Sequence, residues 1–114
     1  MVRETGDSVF NEEVIGKKGA VLLLIYAPWC GDCRRILPVF SRCSELPEYG
    51  EVEFLQMDID KNPQTKKNLA VERYPTLYLF QAGRKVAEHV AELPAEEQKT
   101  LIQFMLGDLL NKDV

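Results

Sequence analysis

Histidine occurs once in this chain of 114 residues, at His89, and cysteine only three times, at Cys30, Cys33 and Cys43. A structural zinc site needs four nitrogen or sulfur ligands in paired spacings, and a single CxxC with one remote histidine does not supply them within one chain. No metal or other cofactor is expected. Three clustered cysteines also fall short of the even, dispersed set that staples small secreted domains. Long apolar runs are missing: the longest, Ala20 to Ile25 and Leu77 to Phe80, are far below the ~20 residues of a bilayer span. At the N-terminus Glu4, Asp7, Glu12 and Glu13 interrupt any apolar core of the kind a secretion signal carries. A cytoplasmic protein with no membrane partner is therefore expected. Positive charge is in deficit as well, with 14 basic against 18 acidic residues. No basic patch interleaved with aromatics offers a seat for a phosphate backbone, so nucleic acid is not an expected partner.

Hydrophobic residues make up 46% of the chain and charged residues 28%, the balance of a globular protein rather than a disordered one. The length suits one domain over residues 1–114, with a core large enough to need no disulfide.

The pattern along the chain alternates strands with helices. Val2 to Glu4 reads as a short edge strand, and Asp7 or Ser8 as the cap of a helix running through Glu12 towards Ile15. Ala20 to Tyr26 is apolar without a break until Tyr26, the mark of a strand covered on both faces, and so of a central one. From Gly31 to Glu45 apolar residues recur with helical spacing at Ile36, Leu37, Phe40 and Cys43, with Pro38 inside the helix. Pro38 should remove one backbone hydrogen bond and bend the axis. Val52 to Ile59 reads as a further interior strand, and Pro63 as the start of a short helix towards Leu69 and Val71. Thr76 to Phe80 is a strand that Gln81-Ala82-Gly83-Arg84 turns back into Lys85 to Val90. The last helix, about Pro94 to Leu110, carries an apolar stripe of Leu101, Ile102, Met105, Leu109 and Leu110.

Trp29-Cys30-Gly31-Asp32-Cys33 lies at the end of the central strand and the opening of a helix. Residues three apart in a helical turn bring their α-carbons to roughly 5 Å, within the span of a disulfide. Cys30, at the start, meets unpaired backbone N–H groups and the positive end of the helix dipole, both of which favour a thiolate. It is the expected nucleophile. Cys33, one turn further in, is the expected resolving thiol, and the two form the redox-active disulfide. Asp32 is in conflict with this chemistry. A carboxylate in the first turn suits the helix, but it either opposes a second negative charge on Cys30, which should make the dithiol a stronger reductant, or points into water and is screened. Arg34 is either a weak support for the thiolate or a solvated surface residue.

A CxxC beside a βαβ pattern points to thioredoxin-like redox proteins, and the resemblance extends further. Tyr26 to Arg34 resembles the thioredoxin active-site segment, Pro38 the helix-bending proline, and Tyr74-Pro75-Thr76 the cis-proline segment. Asp58 to Pro63 resembles the turn after the third strand, and Gly83 the hairpin glycine. The resemblance, spread from about Ser8 to Leu106, implies an α/β fold. It would be a thioredoxin-like three-layer α/β/α sandwich, with a central mixed β-sheet and a C-terminal β-hairpin and helix. Trp29 is expected to shield the thiols and touch a partner and Gly31 to permit a tight entry into the helix, while Tyr26 either lines the site or is structural. Pro75, flanked by Tyr74 and Thr76, would face the cysteines and leave backbone groups free for an extended substrate.

Three departures stand out. Leu24 occupies the place of a buried aspartate thought to move the inner cysteine's proton, Gln56 that of its lysine partner, and Ala91 that of a glycine lining the substrate groove. Loss of both charges together avoids stranding one of them in the interior. The resemblance implies a protein-disulfide reductase acting on disulfide-containing proteins as a monomer, and recharged by a reductase or another dithiol donor. An oxidase or isomerase, and a binding module with secondary redox activity, stand as alternatives. Cys43 reads as a packed core thiol and His89 as a solvated residue.

Overall fold

The computed structural model describes residues 1–110, with side chains up to Gly107. Leu109 and Leu110 of the expected stripe therefore lie, as side chains, outside the described residues. Strands β1 (Val2–Glu4), β2 (Ala20–Tyr26), β3 (Glu53–Asp58), β4 (Thr76–Gln81) and β5 (Arg84–Val90) form one sheet in the order β1-β3-β2-β4-β5. β1, β3 and β2 run parallel, while β4 and β5 are antiparallel to their neighbours. The unbroken apolar run of β2 is explained by its central place: Val21 to Ile25 are all fully buried.

Alternation along β2 divides its side chains between two cores, because successive residues point to opposite faces. Leu22 and Leu24 pack with Ile36, Phe40, Ile102 and Leu106, from helices α1 (Gly31–Ser44) and α3 (Ala95–Leu110). Val21, Leu23 and Ile25 pack on the other side with Val14, Ile59, Val71 and Tyr78, beneath the N-terminal helical turns and α2 (Pro63–Asn68). The result is the expected three-layer α/β/α sandwich. Cys43 is buried among the first group, and Met57 and Phe80 belong to the second.

Two local expectations change. The N-terminal helix is a 3₁₀ turn over Asp7–Val9 followed by a π-helical turn over Asn11–Ile15. Asp7 does not cap it. Its carboxylate instead accepts the N–H groups of Gln64 and Thr65 at 2.9 Å each, and the Thr65 hydroxyl at 2.6 Å. Asp7 therefore caps α2 from 57 residues away, a partnership no local pattern announces. Burial raises the Asp7 pKa, but the bonds from Thr65 and Gln64 outweigh it and hold the carboxyl below its ordinary value. The hairpin is also tighter than four residues. Gln81 pairs with Arg84, leaving Ala82 and Gly83 as a two-residue turn with both φ positive, +52° and +79°, as the twist of a tight hairpin favours. Gly83 is obligatory for a second reason: a β-carbon there would lie 2.1 Å from the Ile15 carbonyl oxygen.

Candidate redox active site

The parallel and antiparallel halves of the sheet meet at β2, and its C-terminal end delivers Ala27 to Trp29 into the first turn of α1. Cys30 has extended backbone angles, φ −89° and ψ 121°, and is the N-cap of α1. Its sulfur accepts the Cys33 N–H at 3.3 Å, taking the place of the oxygen that usually satisfies a free N–H at a helix start. The Cys33 sulfur in turn accepts the Ala27 N–H at 3.4 Å. Both thiols are free; Cys30 is half-buried, whereas Cys33 is only 1% exposed. Burial is the main reason that the Cys33 thiol is pushed up to about 12. The Ala27 N–H pulls the other way, while Cys30 and the negative charge of Asp32 add to the rise. One sulfur is thus reachable and its neighbour is a covered, protonated reserve.

Asp32 is half-exposed and forms an ion pair with Arg35, one turn along the helix. Arg34, the basic residue considered from sequence, is exposed and makes no ion pair among the described residues. The i,i+3 spacing of Asp32 and Arg35 is the sequence signal for this pair.

The Tyr74–Pro75 bond is cis. The Cys30 thiol donates to the Tyr74 carbonyl at 3.8 Å, so the cis-proline segment lies against the reachable sulfur. The Trp29 ring stands edge-on to Tyr74 with centroids 5.8 Å apart, and its indole N–H donates to Asp60 at 3.0 Å. Trp29 is nevertheless 64% exposed, offering an apolar surface beside the thiols. Asp60 belongs to the Asp58 to Pro63 turn on which the family resemblance partly rests, but its bond to Trp29 is visible only in the fold.

Four expected site residues have other roles. Gly31 opens α1 without positive φ and with open space where a side chain would go, so tight helix entry is not its reason. Thr76 is 4% exposed, and its hydroxyl donates to the Arg73 carbonyl at 2.6 Å, shaping the loop from within. Ala91 does not line the groove. It is fully buried, packs into the α1–α3 core, and donates its N–H to the Pro75 carbonyl at 2.8 Å, bracing the cis-proline segment from within. Tyr26 donates its hydroxyl at 2.9 Å to Glu4, which also accepts the Gln56 side-chain amide at 2.6 Å. Burial first, then the bond from Tyr26 to Glu4, raises the pKa of this phenol. His89 is exposed and rests against Phe104.

Among the described residues no cluster of three or more metal-ligating side chains occurs, and no helix is long and apolar enough to cross a membrane. A sulfur pair at the start of a helix, set against a cis-proline on a mixed sheet, defines a thiol-disulfide oxidoreductase. The chain belongs to the thioredoxin family, whose model, described as Thioredoxin, matches residues 1–106. It is 36% identical to a thioredoxin of Listeria monocytogenes over 115 aligned positions that span all of both chains. It is 35% identical to thioredoxin 1 of a Nostoc strain, over 77% of this chain and 81% of that one. The crystal structure of Malassezia sympodialis thioredoxin superposes with a TM-score of 0.77, at 28% identity over 90% of each chain. These relatives favour protein-disulfide reductase activity over the isomerase, oxidase and binding-module alternatives.

Proposed function

We propose that Cys30 is the nucleophile and Cys33 the resolving thiol of this reductase. The observation that carries the assignment is the contrast between a half-buried Cys30 sulfur at the helix cap and a covered Cys33 beside it. The Cys30 thiolate attacks one sulfur of a substrate disulfide; the S–S bond breaks, one substrate thiolate leaves, and a mixed disulfide forms. Cys33, after losing its proton, attacks the Cys30 sulfur and releases the second substrate thiolate. The Cys30–Cys33 disulfide now holds the oxidation that the substrate has lost. A reductase or another dithiol returns two electrons to it. The protein acts as a cytoplasmic monomer, and its residues 1–114 form one domain.

The groove beside Cys30 takes an extended segment of the substrate protein. The Tyr74 N–H makes no hydrogen bond among the described residues, which leaves it for β-type pairing with such a segment. Trp29 supplies the apolar contact. The test is insulin reduction with dithiothreitol as the donor: the native protein should accelerate precipitation of the reduced chains, and Cys30→Ser should return the rate to background. Equal rates in the two would remove Cys30 from the reaction.

Asp32 should lower the potential of the dithiol. Replacing it with asparagine removes a charge that opposes thiolate formation but is partly answered by Arg35. A half-exposed charge of this kind is worth about 0.2–1 kcal/mol, so the potential of Asp32→Asn should be higher by about 5–20 mV. A reductant's value, at or below about −270 mV, is expected of the native protein. A native potential of about −180 mV or above would instead favour an isomerase or oxidant.

A further inference from the structure

Gln98 is fully buried in the first turn of α3, yet half of its amide has no partner. Its Nε2 donates to the Ala91 carbonyl at 3.2 Å, while its Oε1, closed off from solvent, accepts no hydrogen bond. A half-satisfied buried amide is a cost to folding. Nor does the Ala91 carbonyl depend on it, since the Leu93 N–H already donates there at 2.9 Å. An apolar side chain of the same shape would spare the unmet acceptor without stranding Ala91. Stability therefore gives no reason for glutamine at this place on an otherwise apolar helix face, four residues before the fully buried Ile102.

The bond lies at the base of a relay that ends at the thiol. Gln98 holds the Ala91 carbonyl, the Ala91 N–H holds the Pro75 carbonyl at 2.8 Å, and the neighbouring Tyr74 carbonyl receives the Cys30 thiol at 3.8 Å. On the outside, Arg73 and Glu92 bridge the same two loops at 3.0 Å, but as an exposed pair that solvent and salt weaken. Gln98 is thus an interior tie between α3 and Ala91, which in turn pairs with the cis-proline loop lying against the reachable sulfur.

We infer that Gln98 is a positioning residue for protein substrates, setting through Ala91 and Pro75 the backbone edge on which an extended chain is held beside Cys30. The inference rests on the groove reading given above. A substrate protein must pair with that edge, whereas a small aromatic disulfide needs only the Cys30 sulfur. Removing the amide should therefore separate the two substrates.

Gln98→Met keeps the length of the side chain and removes its donor. Expected are a melting temperature equal to or above native and a KM for insulin raised about threefold to tenfold, the equivalent of one net hydrogen bond. Turnover of a nitrobenzoate disulfide should be unchanged, and the Ala91 amide hydrogen should exchange faster than in the native protein. Ile102→Val, which trims the same helix face without touching the bond, serves as the structural control and should leave both KM values native. A lower melting temperature in Gln98→Met with native KM, or equal losses on both substrates, would overturn the positioning role. If the native protein reduced the nitrobenzoate disulfide but not insulin, the groove reading itself would fall instead.

Discussion

Cys33→Ser protein should capture its substrates instead of turning them over. Cys30 still attacks, the mixed disulfide still forms, and nothing within the molecule remains to break it. Resolution then waits for an external thiol. Well-oriented intramolecular groups act at effective molarities of ~10⁵ M or more, so turnover with millimolar dithiothreitol should fall at least ~10³-fold. Mass spectrometry of the protein after exposure to a disulfide peptide should show one peptide bound at Cys30, and none in a Cys30→Ser control. A Cys33→Ser protein that turns over at more than a few per cent of the native rate would show that Cys33 does not resolve the intermediate.

The same step carries the pH dependence of the native enzyme. Cys33 attacks as a thiolate, and burial keeps its thiol protonated up to about 12 in the reduced protein. In the mixed disulfide Cys30 bears no charge and its thiol is gone, so two of the causes that raise Cys33 vanish while burial and Asp32 remain. The thiol of the intermediate therefore lies below that of the free dithiol. Below its pKa, the thiolate fraction grows tenfold per pH unit, and resolution should accelerate with it.

The sequence made the scaffold and the reacting atoms legible because both are carried by local pattern. The apolar run of β2 specified a covered strand, and the CxxC at a helix start specified two sulfurs one turn apart. Partnerships between distant segments were beyond it. Asp7 has the composition of a local cap, and only the packed structure shows that the segment it caps is α2. Ala91 was placed on the groove wall by the family resemblance alone, but burial decides which side of the loop its side chain occupies. Gln98 did leave a trace, as a polar residue one turn before Ile102 on the apolar face; its meaning required the position of Ala91.

Leu24→Asp should cost the protein roughly 3–5 kcal/mol at neutral pH, because it replaces a fully buried leucine with a carboxyl that has no cation to meet it. Leu24 neighbours Gln56 across the parallel pair β2–β3, and the Gln56 amide is directed to Glu4 at 2.6 Å. The new carboxyl would stay protonated, its pKa raised by burial. The unfolded chain ionises near pH ~3.9, so above that pH it binds fewer protons than the native state. Stability should accordingly be closest to native below pH ~4 and fall as the pH rises. Adding Gln56→Lys changes the sign of this effect. A lysine beside the carboxyl favours its charged form, and the double variant should recover about 1–3 kcal/mol at pH 7 beyond the sum of the single changes. Denaturant unfolding at several pH values measures this coupling, and strict additivity would refute the pairing across β2 and β3. Activity supplies the second reading. If proton transfer from Cys33 limits resolution, the double variant should release substrate faster than native near neutrality, where a carboxylate can take that proton. If no gain appears at any pH while the coupling is present, Leu24 and Gln56 are an uncharged replacement made for stability, and proton removal from Cys33 is not the slow event.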